Sequence, residues 1–343
     1  MTEISSSSAP AAFKRLCVVG GGAWGTALAH LLAENGAGVT LLLRDPDLAD
    51  EINRTRENAP YLPGVRLAER LIATIDDKAA LDGADAVVYA APAQAARAFF
   101  ARLALEAPEN LTVLLCSKGL ERATGAPLST VLEEAWPGAV PAVLSGPSFA
   151  HDVASGLPTA VTLACADQAC AERWRASLAR PHFRLYATSD VIGAELGGAM
   201  KNVLAIAAGA AEGAGLGESA RAAAIARGFA EFQKLGAALG ARPETMAGLS
   251  GLGDLILTAT SKASRNMSLG FELGRGRSLA EIEKTRRTVS EGAATAAAIV
   301  ALAERHGVET PLSKAVADLI SGDRTIRQIT DELLARPPKR EGG

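Results

Sequence analysis

Aromatic side chains are scarce, 4% of 343 residues, and the chain has only four cysteines and four histidines. The histidines, His30, His151, His182 and His306, stand in no catalytic setting, which leaves lysine as the acid–base candidate. Cys17 and Cys116 fall inside apolar runs, while Cys165 and Cys170 are too few and wrongly spaced for a zinc site. Reduced, packed thiols of a cytoplasmic protein are therefore expected, and no metal. A strong charge of one sign is also lacking. At a net charge of -3 nothing points to nucleic acid or an anionic membrane as partner. No stretch combines the length and the uninterrupted apolarity of a membrane span, since the apolar run Val191 to Ala211 carries Glu195 and Lys201. The start, Met1 to Ala12, lacks a basic segment followed by an apolar one, so it reads as a disordered tail and not a signal peptide. Arg336 to Gly343 reads as a second polar tail.

What is present begins with Arg15-Leu16-Cys17-Val18-Val19, a short apolar strand running into Gly20-Gly21-Gly22-Ala23-Trp24-Gly25. A helical pattern, Thr26 to Asn35, and a second strand, Val39 to Leu43, follow. Strand, G-x-G-x-x-G, helix and strand in this spacing form a dinucleotide-binding unit. Gly20 permits the tight turn, Gly22 lets the backbone approach a pyrophosphate, and Gly25 lets helix and strand pack closely. The end of the second strand is where an acid for the ribose hydroxyl is expected, and Arg44 stands there instead. That favours a 2'-phosphate and hence NADP(H), without excluding NAD(H). The plain alternative is a strand-end charge, with Asp45 capping the next segment.

Further strands are expected at Ala86–Pro92, Leu111–Cys116, Ala142–Leu144, Ala160–Leu163 and Phe183–Ala187, with a helix from Gln94 to about Leu105. The alternation predicts an α/β chain: an N-terminal Rossmann-type, mostly parallel sheet with helices on both faces, then an all-helical C-terminal domain. The expected division is a tail over 1–13, a dinucleotide domain over 14–189, a helical substrate domain over 190–335 and a tail over 336–343. Ligands gather at the C-terminal ends of such strands. Lys118 follows one strand end and suits a carbonyl oxygen or phosphate, or is simply a solvated loop lysine. Gly146 and Ser148 follow the next, as a tight turn opening a helix in which Ser148 is either a ligand or an N-cap.

Val191 to Ala211 is too long for a strand and free of proline, so it reads as a buried helix. Gly197 and Gly198 lie one turn from Lys201 and leave room for a ligand or another backbone. Such surroundings favour loss of the ammonium proton, whereas a lysine that snorkels to solvent would keep it. Asp254 and Thr258 share a helix face; Asp254 either orients Lys201 and holds it charged or caps its own helix. Ser264-Arg265-Asn266 suits a phosphate or is a surface turn. Val289-Ser290-Glu291-Gly292 opens a further helix, with Glu291 a helix-start acid.

Several motifs now stand in order. They are Gly20-x-Gly22-x-Trp24-Gly25-Thr26-Ala27, Ser117-Lys118-Gly119-Leu120, Ser145-Gly146-Pro147-Ser148-Phe149-Ala150 and Gly156-x-Pro158-Thr159-Ala160. Gly197-Gly198-Ala199-x-Lys201-Asn202-Val203, Gly251-x-Gly253-Asp254-Leu255 and Ser264-Arg265-Asn266 follow. Together, from Leu16 to Asp331, the chain closely resembles the soluble NAD(P)-dependent sn-glycerol-3-phosphate dehydrogenases of bacterial type. The resemblance implies interconversion of dihydroxyacetone phosphate and sn-glycerol 3-phosphate, feeding phospholipid synthesis, by a homodimer. It implies Lys201 as general acid–base residue, Lys118 and Asn202 polarising the substrate oxygen, and Asp254 tying Lys201 in place beside Thr258. Substrate contacts would fall on Gly146, Ser148, Ser264, Arg265 and Asn266 as well as Lys118, Lys201 and Asp254. Cofactor contacts would fall on Gly20, Gly22, Ala23, Trp24, Gly25, Arg44, Lys118, Ala150, Arg265, Val289 and Glu291.

Two residues depart from the pattern. Ala23 replaces a serine or threonine common in relatives, removing one hydroxyl from the loop. His151 stands where lysine, asparagine or glutamate is expected. Two other readings compete: a 3-hydroxyacid or 6-phosphogluconate type of dehydrogenase on the same architecture, and a non-catalytic NAD(P)-binding sensor. The Ser264-Arg265-Asn266 cluster argues against the first, and the joint presence of Lys201 and Asp254 against the second.

Overall fold

The computed structural model describes residues 11–108, 110–284 and 291–337. Most of both expected tails, together with Val289 and Ser290, lies outside the described residues. The chain divides into two compact units, Met1–Ser117 with Leu128–Ala194, and Lys118–Pro127 with Glu195–Gly343. Lys118–Pro127, between two elements of the first unit in sequence, thus belongs to the second.

The first unit runs β1 (Arg15–Val19), α1 (Ala23–Glu34), β2 (Gly38–Leu42), α2 (Pro46–Thr55), β3 (Leu71–Thr74), α3 (Asp77–Leu81), β4 (Ala86–Tyr89), α4 (Ala96–Leu103), β5 (Thr112–Leu115), α5 (Leu128–Ala135), β6 (Val140–Ser145), α6 (Ala150–Ala154), β7 (Thr159–Ala164), α7 (Gln168–Leu178) and β8 (Phe183–Thr188). The strands form one sheet in the order β3-β2-β1-β4-β5-β6-β7-β8. All neighbours are parallel except β6 and β7, where Leu144 faces Leu163 in antiparallel register. Every residue of β4 and β5 is buried, as continuous apolar strands covered on both faces should be. The core gathers Leu16, Val18, Leu28, Leu32, Leu41 and Trp174. Phe13, ahead of β1, packs on Trp174 with ring centroids 4.7 Å apart.

Two local differences from the sequence expectation are instructive. β3 is absent from that expectation: it has four residues with alternating burial on a sheet edge, its apolar run Leu71-Ile72-Ala73 is short, and Ile72 faces out. α1 begins at Ala23, not Thr26, with Gly25 in its first turn. A Cβ at Gly25 would overlap the Gly20 carbonyl oxygen, so the glycine there is a condition of the helix starting early.

The second unit is helical: α8 (Val191–Gly213, its first turn in the first unit), α9 (Glu218–Ala238), α10 (Pro243–Ala247), α11 (Asp254–Thr260), α12 (Arg265–Gly274), α13 (Leu279–Glu283), α14 (Glu291–Arg305), α15 (Pro311–Ser321) and α16 (Ile326–Ala335). A π turn, Leu249–Gly253, leads into α11. By length and composition α8 would suffice to cross a membrane, although it carries Glu195, Lys201 and Glu212. It is instead a core helix, with 83% of that stretch buried inside the protein.

Helices α8 and α12 meet backbone to backbone. A Cβ on Gly209 or Gly213 would run into the carbonyls of Met267 and Phe271, and one on Gly270 or Gly274 into those of Ile206 and Ala210. Glycines four apart on both helices put small residues on the two touching faces and allow this close approach. The contact fixes the register between Asn202 on α8 and Asn266 on α12. Gly270→Val forces a branched side chain into the Ile206 carbonyl, and overpacking of this kind costs about 3 kcal/mol. The expected result is a lower denaturation midpoint with an unchanged m-value; a wild-type midpoint would show that the helices do not touch there.

Candidate active site

In the second unit the catalytic candidates converge on one carboxylate. Asp254, fully buried, accepts from Lys118 Nζ at 2.8 Å and from Lys201 Nζ at 2.5 Å. The two lysine side chains are only 14% and 10% exposed, so neither is a solvated or snorkelling lysine. Asp254 does not cap its helix, because Gly253 holds the cap position and both carboxylate oxygens face the lysines. Thr258 closes the other side, its hydroxyl donating to the Asp254 carbonyl at 2.7 Å.

The positions of these groups follow from local backbone features. A Cβ on Gly197 would overlap the Ser250 carbonyl, so the glycine lets the π turn press against α8 one turn before Lys201. The space left at Gly197 is taken by another backbone, that of Ser250 and Gly251. Asn202 Nδ2 donates to the Lys118 carbonyl at 3.0 Å and to Gly198 O at 3.3 Å, while its Oδ1 accepts from Asn266 Nδ2 at 2.8 Å. Asn266 Oδ1 in turn accepts from Gly292 N, at the start of α14. Two buried amides thereby tie Lys118, α8, α12 and α14 together, and both amide donors of Asn202 are used within the protein.

Burial dominates the protonation of Lys201 and pushes the ammonium down to about 8. The Asp254 carboxylate pulls in the opposite direction, and the Lys118 charge adds to the push. Such a lysine gives or takes a proton near neutral pH, which an exposed one does not.

Ser264 is buried and caps α12, its Oγ accepting from Met267 N at 3.2 Å. Arg265, the next residue, is exposed at the N-terminus of the same helix. Glu291 opens α14.

The remaining candidates lie in the first unit. The glycine loop follows β1, whose two neighbours β2 and β4 lie on opposite sides, the place where doubly wound sheets receive dinucleotides. Gly20 has φ +117°, and a Cβ there would sit 2.8 Å from Ala91 N. At Gly22 a Cβ would meet nothing within 4 Å, so that face of the loop is open. Gly22 is also the N-cap of α1 and offers no side-chain cap, leaving the first N–H groups of the helix for an anion. Trp24 Nε1 is buried without a hydrogen-bond partner. These features fit a pyrophosphate-bearing cofactor. Ala23 begins α1 and contributes backbone alone.

Arg44 is exposed just past β2. Asp45 caps α2, accepting from Asp47 N and Leu48 N at 3.1 and 3.3 Å, so that carboxylate is engaged with its own helix. Gly146 has φ +141°, and Ser148 Oγ donates to its carbonyl at 3.1 Å. Ser148 is not the N-cap of α6, which is Phe149. Ala150 starts α6, and exposed His151 pairs with Ser155 on the same helix.

The structure thus joins Lys118, Lys201, Asn202, Asp254, Thr258 and Asn266 in one hydrogen-bonded cluster, with Ser264 and Arg265 at the start of the helix that holds Asn266. Sequence reading had no basis for the Asn202–Asn266 pair as a tie between helices, since its members are 64 residues apart.

Comparison with known proteins gives the family. Residues 15–171 match the family described as NAD-dependent glycerol-3-phosphate dehydrogenase N-terminus, and residues 190–331 the corresponding C-terminus. A glycerol-3-phosphate dehydrogenase (NAD(P)+) of Rhodospirillum rubrum is 53% identical over 328 residues, 96% of this chain and 94% of its own. That of Parvibaculum lavamentivorans is 51% identical over 330 residues, 96% and 99% of the two chains. The crystal structure of glycerol-3-phosphate dehydrogenase from Coxiella burnetii superposes with a TM-score of 0.90 at 36% identity, over 94% of this chain and 99% of that one. The chain belongs to the NAD-dependent glycerol-3-phosphate dehydrogenase family.

Proposed function

We propose that this chain interconverts dihydroxyacetone phosphate and sn-glycerol 3-phosphate with NAD(P)(H), with Lys201 as the general acid–base residue. The observation that carries the chemistry is the buried Asp254 carboxylate holding the ammonium groups of Lys118 and Lys201. Bound NAD(P)H supplies a hydride to the carbonyl carbon of the substrate. Lys201 gives a proton to the carbonyl oxygen, so that one hydride and one proton make the secondary alcohol, and it takes the proton back in the oxidising direction. The second positive charge, on Lys118, stabilises negative charge developing on that oxygen. Asp254 keeps Lys201 in place, and Asn202 positions Lys118 through its carbonyl. Arg265, with the N-terminus of α12, suits the substrate phosphate. The glycine loop, Trp24 and Arg44 serve the cofactor, Arg44 favouring NADPH. In domain terms, dinucleotide binding falls to 14–189 and substrate binding to 190–335, with Lys118 added to the latter.

The test is oxidation of NADPH and NADH by the purified protein with dihydroxyacetone phosphate. Cofactor binding without turnover would refute the reading, and the ratio of the two rates tests Arg44. The family resemblance further supports a cytoplasmic homodimer; sedimentation at the mass of one 35.2 kDa chain, or recovery with membranes on fractionation, would count against it.

The lowered Lys201 value gives a pH signature. Reduction needs the protonated lysine, so its rate falls as pH rises through about 8; oxidation needs the free amine, so its rate rises through the same point. A lysine in its ordinary range, near about 10.4, would put both inflections far higher.

Arg265→Ala removes a charge-assisted contact to phosphate and is expected to raise KM for dihydroxyacetone phosphate roughly 10- to 100-fold. Phosphate-free dihydroxyacetone should lose little. Equal losses for the two substrates would detach Arg265 from the phosphate.

A further inference from the structure

The three carbonyls of the glycine loop are all directed at protein groups. Gly20 O lies against Gly25, where a Cβ would overlap it, and Gly22 O accepts the first intrahelical bond of α1, from Thr26 N at 2.9 Å. Between them, Gly21 O accepts from the side chain of Asn58, whose Nδ2 stands 2.9 Å away. The second Nδ2 proton goes to Thr26 Oγ1 at 2.8 Å. Asn58 is fully buried; its backbone carbonyl is held by Tyr61 N and Leu62 N at 3.1 and 2.7 Å, while its side-chain Oδ1 is buried without a hydrogen-bond partner. Only the nitrogen of the amide can donate to a carbonyl, so the orientation of the side chain is set by Gly21.

The other two carbonyls are fixed by the loop and the helix themselves. The Gly21–Gly22 peptide is not, because it is flanked by residues with no Cβ to restrict it and turns over cheaply. Turned over, it would present a carbonyl oxygen where an anion requires an N–H. We propose that Asn58 is a positioning residue for the dinucleotide site, holding the Gly21 carbonyl inward so that the loop presents N–H groups to the pyrophosphate. The inference rests on the cofactor reading above and adds to it a residue 37 positions from Gly21 in sequence.

The experiment compares Asn58→Leu, close in shape but without donors, and Asn58→Ala with the unaltered protein, titrating each with NAD(P)H and with AMP, which lacks the pyrophosphate bridge. Loss of one hydrogen bond that orients the loop predicts about tenfold weaker NAD(P)H binding. AMP should change less than twofold, and in turnover the loss should fall on the cofactor KM rather than on kcat. Undiminished NAD(P)H affinity, or equal weakening for NAD(P)H and AMP, would overturn the proposal. Should neither variant fold, the unaltered protein still decides. The Asn58 side-chain amide protons, followed by NMR, must exchange slowly with solvent with and without cofactor, and rapid exchange in either state overturns it. Failure of the unaltered chain to bind NAD(P)H would overturn the cofactor reading and this inference with it.

Discussion

Lys201→Ala is expected to lower kcat by about 10³-fold, within the usual range for removal of a general acid–base group. The fold should survive. Lys118 remains paired with Asp254 at 2.8 Å, so the substitution leaves no uncompensated buried charge. Cofactor affinity should hold within a few-fold, since the glycine loop lies in the other unit. The pH inflection near 8 should vanish with the residue, and stopped-flow and steady-state rates across the pH range check both points together. Turnover near the wild-type rate with the inflection preserved would remove Lys201 from its role and turn attention to Lys118.

Asp254→Asn is expected to do damage of a different kind. It leaves two buried ammonium groups facing a neutral amide, and breaking a buried ion pair from one side costs about 3–5 kcal/mol. Part of that cost is relieved by deprotonation. Lys201 is held up to about 8 by the carboxylate against burial, so without it the value falls further. The reduction rate should then decline from a lower pH than in the wild type, together with a large drop in the denaturation midpoint. The sign follows from linkage. A lysine whose folded value lies below its unfolded value destabilises the native state wherever both states are protonated, and the penalty is relieved as pH rises above the folded value. The variant should therefore regain stability, relative to wild type, from its own lowered Lys201 value up to about pH 8. An unmoved pH profile combined with wild-type stability would show that Asp254 is not the counter-ion of Lys201.

The contrast between these variants depends on which groups touch, and that was only partly legible beforehand. The strand–glycine–helix unit from Arg15 to Leu43 could be read because its determinants lie within a few residues: an apolar strand, glycines at fixed spacing, a helix start. The burial of α8 could be read from its apolar length, and the pairing of Thr258 with Asp254 from helical spacing. β3 escaped because four residues on a sheet edge carry too little apolar pattern. The glycines at 209, 213, 270 and 274 carried no meaning until two helices were seen in backbone contact through them.

Residue types and local spacing by themselves determined the strands of the sheet other than β3, the glycine loop and the family resemblance. Tertiary structure alone decided that Asp254 serves Lys118 and Lys201, which are 136 and 53 residues away in the chain. It also decided that Lys118 belongs with the helical unit, and that Asn58 reaches back to Gly21. The reason is physical: helix, turn and strand preferences are set by neighbours along the chain, whereas the partner of a buried polar group is chosen by whichever segments packing brings within about 3 Å.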